Sequence, residues 1–276
     1  MNLVRIEHFD SNSHFDFILG SPMTLVRGMK TAFFRIIFWV IVITFSGTNS
    51  AHTQISNISK NPQFTTFQID LKRDQLRLFW ADDKAQIFKS FDRLNDWLKR
   101  EQKQLVFAMN AGMFHYDLSP VGLLRIEGRE LNALNTDTGF GNFFMSPNGV
   151  FFWGREGAYI VETSEFASMQ SQADFATQSG PMLLRHSVIH PRFDQASTSR
   201  HIRNGVGIKQ GQLYFVISNQ AVSFYEFALY FRDELQCSDA LYLDGAISSL
   251  YAIEMGRNDQ KTQLGPIIGV VIDRAQ

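Results

Sequence analysis

The chain has 276 residues, 45% of them hydrophobic and 19% charged, with a formal net charge of −1. That balance excludes a disordered chain, leaves no basic footprint for nucleic acid, and allows one domain with a sizeable core. Phenylalanine is unusually frequent, at 26 residues, which suits a sheet core filled with rings.

The first informative stretch begins at Met29 and reads MKTAFFRIIFWVIVITFSGTNSAHT. Lys30 and Arg35 make a basic head, residues 36–45 an almost wholly apolar run, and Thr48 and Ser50 fit the small positions of a cleavage site. This pattern predicts a signal peptide over residues 29–51 and export to the periplasm or beyond the cell. The apolar run is shorter than the roughly 20 residues of a membrane span, and an uncleaved anchor touching the membrane is the alternative. The 28 residues before Met29 fit no part of such a signal. We read 1–28 as an extension of the gene model, with the true start at Met29 or Met23.

From residue 54 onward the pattern predicts one α+β domain reaching 276, a mainly antiparallel sheet core with two or three helices packed on it. Residues 64–71 and 75–81 read as strands around a Lys-Arg-Asp turn. Residues 85–101 carry Ile87, Phe88, Phe91, Leu94, Trp97 and Leu98 at helical spacing, which predicts an amphipathic helix. Residues 104–110 form a buried strand with a polar end. Short strands are expected at 122–126, 142–146, 149–153, 158–162, 182–186, 205–209 and 213–218. A second helix covers 223–235, with Ser223 as N-cap and Glu226 three positions on as its capping-box partner. ALYLD and IIGVVI supply the last strands. Cys237 is the single cysteine, so no internal disulfide is available, and its place between helix and strand predicts a packed thiol.

Polar residues gather at the ends of four apolar segments. In MNAGMFHYD, Asn110 offers donor and acceptor, Gly112 permits close backbone approach, and His115 follows; an ordinary strand-ending turn is the plainer reading. In TQSGPMLLR, Ser179 and Gly180 break the chain before a strand, again as a turn or as a ligand loop. In SRHIRNGVGIK, Arg200, His201 and Arg203 gather near a strand, and arginine is the residue best shaped to grip a phosphate. In ALYLDGAISSLYA, Asp244 ends a buried strand and is followed by Gly245, Ser248 and Ser249, an arrangement suited to ligand binding at a sheet edge. His186 and His190 have a spacing seen in metal sites, but no third ligand lies near them in sequence, so neither metal nor cofactor is expected. There is no G-x-S-x-G elbow and no P-loop.

These four stretches, in this order and over about residues 105–253, resemble the phosphodiester glycosidase family. Its pattern of an N-G-G-F-F-like turn, G-P-x-L, R-x-x-x-G and an L-D-G-G-x-S-S-like loop is matched by residues 110–114, 180–183, 203–207 and 243–249. The run GNFFMSPNGVFFW is similar to the bacterial exported branch of the group. Ala111 and Ala246 stand where the family carries glycine, and Ile247 adds bulk to the last loop.

The resemblance implies hydrolysis of the sugar C1–O bond of a glycosyl-1-phosphodiester. The leaving group, a phosphate monoester with a second pKa near 6, departs with little protonation, so the two-carboxylate machinery of ordinary glycosidases is not required. A cation and one carboxylate suffice. The expected roles are Arg203 as phosphate clamp and Asp244 as the carboxylate at C1, with Asn110 and Ser248 or Ser249 orienting sugar or phosphate. Gly112, Ser179, Gly180 and Gly245 shape the substrate site, and His115 and Glu226 are reserves. A metal-dependent phosphodiesterase and a non-catalytic binder of glycan phosphates in the envelope are the competing readings.

Overall fold

Two strands and a capped helix open the described part of the chain, which in the computed structural model covers residues 55–245 and 247–274. The segments read as an extension and a signal peptide, and Ala246, lie outside the described residues. The strands are β1 (Phe64–Ile69), β2 (Gln75–Phe79), β3 (Lys103–Asn110), β4 (Leu124–Ile126), β5 (Arg129–Asn132), β6 (Gly149–Gly154), β7 (Gly157–Glu162) and β8 (Phe175–Ser179). They continue as β9 (Met182–Arg185), β10 (Val188–Ile189), β11 (Asn204–Lys209), β12 (Gln212–Ser218), β13 (Asp239–Tyr242), β14 (Leu250–Ala252), β15 (Arg257–Asn258) and β16 (Ile267–Asp273). The helices are α1 (Phe91–Arg100), α2 (Thr163–Met169) and α3 (Phe224–Leu229), the last running on into a π-helical turn at Tyr230–Glu234.

The strands build three sheets, in the orders β1-β12-β11-β13-β9-β10, β15-β14-β3-β16-β2 and β5-β4-β8-β6-β7. Every described pairing is antiparallel. Alternating apolar side chains leave each sheet one inward face. The three inward faces share one core cluster, to which the sheets contribute Phe67 and Phe215, Phe107 and Val270, and Phe151 and Leu124 in turn. The Phe107 ring lies 4.8 Å from Phe67 and 5.5 Å from Phe215, and Phe215 lies 5.9 Å from Phe151. Rings and aliphatic side chains fill the three-way junction together, the rings contributing the largest buried areas. The expected α+β domain with a mainly antiparallel core is what these elements form.

Helix α1 buries Phe91, Leu94 and Leu98 against Leu105, Ala108 and Val271 of the second sheet. It starts at Phe91, six residues later than the sequence pattern predicts, because the chain before it pairs as a hairpin with the edge of β2. The Phe88 N–H donates to the Trp80 carbonyl, and Asp82 closes the turn by accepting from the amides of Lys84 and Gln86. Lys89 then takes φ +65°, outside helix geometry, and the Ser90 hydroxyl caps the first turn. Helix α3 has the expected capping box between Ser223 and Glu226, and with the π-helical turn after it sets Phe227 and Phe231 on Phe64, Leu183 and Leu184.

Residues 142–146 are a turn, not the expected strand. The Met145 N–H bonds the Asn142 carbonyl, the Asn148 side chain bonds the Phe143 carbonyl at 2.9 Å, and the Phe143 and Phe144 rings meet edge to face. Conversely, the polar sequence FATQS forms β8, the centre of the third sheet. Truncating Phe107 to alanine removes the ring that joins two sheets, so Phe107→Ala should cost about 3–5 kcal/mol and lower the urea midpoint of unfolding accordingly.

Candidate active site

Strand β13 delivers its chain to one end of the sheets, where residues 243–245 and 247–249 lie in a loop. Three buried polar side chains, one from each sheet, hold that loop. Asn204, at the start of β11, receives the Leu243 amide on its backbone carbonyl and the Asp244 amide on its side-chain oxygen, both at 3.1 Å. Asn110, at the end of β3, accepts the Ser249 amide at 2.9 Å and is itself bonded by the Asn204 side-chain nitrogen at 3.1 Å. Ser179, at the end of β8, donates to the Leu243 carbonyl at 2.6 Å. All three side chains are completely buried. Ser248 closes the loop on itself through the Asp244 carbonyl at 2.7 Å, and the Ser249 hydroxyl donates to the Ile247 carbonyl.

This loop carries Asp244 to an open cavity of about 760 Å³ that is also lined by His115, Tyr116, Asn142, Ile247 and Gln263. Asp244 is 8% exposed and His115 lies at the surface of a short hairpin, so the cavity joins a shielded carboxylate to a solvent-facing imidazole. In the hairpin the Val121 amide donates to the Met113 carbonyl and the His115 amide to the Ser119 carbonyl. The Trp80 indole N–H braces it through the Leu118 carbonyl at 2.8 Å.

Arg203 sits elsewhere. It is 1% exposed and does not line the cavity. Its guanidinium carbon lies over Phe224, 3.6 Å from the ring centre, with Nε donating to the Val222 carbonyl, Nη1 to the Tyr242 hydroxyl and Nη2 to the Ser199 carbonyl. Phe224 stacks in turn on Phe193, and Phe193 on His190. Burial pulls the Arg203 pKa below its ordinary value, with Tyr242 opposing. The phosphate-clamp role read from the sequence therefore lacks an exposed guanidinium, because aromatic side chains and backbone carbonyls enclose it.

Tyr242 connects the two regions. Burial pushes its phenol far up; the Arg203 charge opposes this, while the Asp244 carboxylate adds to it. The neutral hydroxyl lies directly beneath Gly245, where any side chain would collide with it. Gly112 likewise faces protein rather than ligand: its amide donates to the Thr177 hydroxyl, and a Cβ there would strike the Gln178 carbonyl. Gly180 packs on the backbone of the turn at 142–148. Of the residues picked out in the sequence, Asp244 and His115 line the cavity. Asn110, Ser179, Ser248 and Ser249 spend their hydrogen bonds on the loop. Glu226 is committed to the amide of Ser223 and to Arg200 at 2.6 Å, contacts that outweigh its burial and hold its carboxyl below the usual range. Sequence reading passed over Asn204 and Tyr242; Asn204 stands inside a matched motif and Tyr242 just before one, but their partners lie far away in the chain.

Burial pushes the Cys237 thiol up to about 12, so it packs as a neutral group. Of the two histidines with metal-like spacing, His186 is exposed beside Asp239, whereas His190 is buried with Nδ1 accepting the Arg192 amide. Among the described residues no three His, Cys, Asp or Glu side chains cluster as a metal site.

Replacing Asn204 by alanine leaves the Asp244 amide and the Asn110 oxygen short of a partner, at about 1–3 kcal/mol for each buried group. Asn204→Ala should lower the unfolding midpoint and speed hydrogen exchange at the Asp244 and Ser249 amides. His190 sets a pH dependence. Burial holds its imidazole below the ordinary value of 6.5; the Ser146 backbone works against this and the Arg192 charge with it. The unfolded chain therefore takes up this proton first. The stability it contributes is complete above the ordinary value and is lost as pH falls through 6.5 toward the lower folded value. Thermal midpoints measured across that window should fall less steeply for His190→Phe than for the native chain.

Residues 103–271 match the family profile described as phosphodiester glycosidase. A relative from Escherichia coli strain K12, described as uncharacterized protein YigE, is 36% identical over 186 residues, which make up 67% of this chain and 72% of that one. The catalytic domain of zebrafish N-acetylglucosamine-1-phosphodiester alpha-N-acetylglucosaminidase, auto-inhibited by its pro-peptide, superposes with a TM-score of 0.53 at 12% identity. That superposition covers 79% of this chain and 86% of that one, and is a likeness of fold. With its four motifs brought to one end of three antiparallel sheets, the chain belongs to the phosphodiester glycosidase family.

Proposed function

We propose that the protein is an exported hydrolase that cleaves the sugar C1–O bond of glycosyl-1-phosphodiesters, with Asp244 as the catalytic carboxylate. The observation that carries this reading is a shielded carboxylate on a loop pinned by all three sheets, opening on a cavity large enough for a sugar phosphate. Family membership supports the reaction class. The signal-like segment at 29–51 supports export, and an envelope glycan is the natural substrate pool for an exported enzyme of this class.

In the proposed step the C1–O bond breaks and its electron pair stays on the phosphate oxygen. Near neutral pH that oxygen leaves as part of a phosphate dianion, since its second pKa is near 6, and no strong acid has to protonate it. Asp244 stabilises the positive charge that develops at C1, or takes the proton of the water that attacks there. Among the described lining residues His115 presents an imidazole N–H that can donate to a phosphate oxygen, and it takes over the phosphate contact first assigned to Arg203. Arg203 keeps a positioning role: its charge and its bond to Tyr242 fix the floor on which Gly245 rests.

Removing a preorganised charge of this kind commonly costs about 10²–10³ in rate. Asp244→Asn should lose that much kcat on a sugar-1-phosphodiester while its melting temperature stays close to native; near-native turnover overturns the assignment. A metal-dependent phosphodiesterase would cut P–O instead. Hydrolysis in ¹⁸O-labelled water should place the label in the sugar; label in the phosphate decides for the other bond. Tight binding of the diester with no release of sugar by the native protein would make it a glycan-phosphate binder.

A further inference from the structure

The cavity that holds Asp244 differs in chemistry from one end to the other. One hairpin contributes Met113, Phe114, Tyr116, Leu118 and Val121 to its wall, and Ile247 adds another apolar side chain from the Asp244 loop. Among the described residues its lining contains no lysine or arginine. One aromatic ring of the lining is fully exposed: Tyr116, on the hairpin's turn. The exposed Tyr116 ring continues the apolar wall formed by Met113, Phe114, Leu118, Val121 and Ile247, and such a contiguous apolar surface receives apolar material. In the other direction, Thr262 and Gln263 are shared with a second hollow of about 420 Å³, lined by Lys89, Asp92, Arg93, Asp259 and Gln260. That annex offers charged groups and amides suited to hydroxyls.

We infer that the group esterified to the phosphate of the substrate is a hydrocarbon chain, an alkyl or isoprenoid alcohol, seated along the apolar hairpin. This rests on the glycosidase reading above. The sugar then faces Thr262, Gln263 and the polar annex, and the phosphodiester lies between the two, beside His115. A second sugar on the hairpin side would meet methyls and rings with few donors to replace its water, at a cost in desolvation. A hydrocarbon meets surfaces that gain from its burial, at roughly fourfold in affinity for each methylene taken out of water. The hairpin is braced for such contact, since Asp117 accepts from both the amide and the hydroxyl of Ser119 at its turn, and Trp80 holds Leu118 from below.

The test compares the decyl and methyl esters of N-acetylglucosamine-1-phosphate, with the decyl ester below its micelle concentration. Binding is measured by calorimetry on the Asp244→Asn protein, so that both esters stay intact, and sugar release is measured on the native protein. The decyl ester should bind at least about tenfold more tightly than the methyl ester. Tyr116→Ser, at a fully exposed position, should reduce that ratio without affecting folding. Equal affinities with sugar released from both esters overturn the hydrocarbon assignment and leave the glycosidase reading standing. Tighter decyl binding with no sugar released from either ester keeps the hydrocarbon seat and overturns the glycosidase reading. A concentration-dependent dimer dispersed by Tyr116→Ser assigns the apolar wall to a second copy of the chain and overturns the proposal.

Discussion

Two asparagine side chains facing each other across the junction of two sheets hold the site together. Asn110 and Asn204 are fully buried, and each would be costly there alone. Paired, they satisfy one another and still have an acceptor left over for the loop amides of Asp244 and Ser249. Ser179 adds the third sheet by way of the Leu243 carbonyl. The geometry of the carboxylate therefore depends on how the three sheets meet, and that depends on the aromatic junction around Phe107, Phe215 and Phe151. Core packing and site geometry are two ends of the same construction.

The site separates its charges by depth. Arg203, enclosed by rings and carbonyls, is sealed beneath the loop, while Asp244 opens on the cavity and His115 stands in water. A guanidinium held in low dielectric acts over a longer range than an exposed one. It biases the neighbourhood of Tyr242 and the Asp244 loop without being consumed by a ligand. Among the described residues the cavity lining is left with a single carboxylate and a single imidazole, a sparse set that matches a leaving group needing little help.

Much of the fold could be read in the sequence where a local pattern decides the structure. The apolar stripe of α1 and the capping box of α3 depend on neighbours three or four residues away, and both are present. The start of α1 could not be read, because Lys89 is drawn out of helix geometry by pairing with Leu264. Strand β8 could not be read either, since Thr177, Gln178 and Ser179 look like a loop. They are buried because Gln178 accepts the amides of Leu123 and Asn135 and donates to the Asn135 carbonyl, and because Thr177 and Ser179 serve the neighbouring loops. At the site, the order of motifs pointed to loops that the fold gathers at one end of the sheets, but not to which side chains face outward. Arg203 looked like a phosphate ligand because its cage is assembled from Phe193, Phe224 and Tyr242, which are dispersed along the chain.

The contact between Gly245 and the Tyr242 hydroxyl ties two positions into one heritable unit. A larger residue at 245 needs a smaller one at 242, and losing that phenol strips Arg203 of a hydrogen-bond partner inside its cage. The constraint runs in one direction: as long as Tyr242 holds its hydroxyl against Arg203, position 245 admits no side chain, whereas a smaller residue at 242 frees 245 at the expense of the guanidinium's partner.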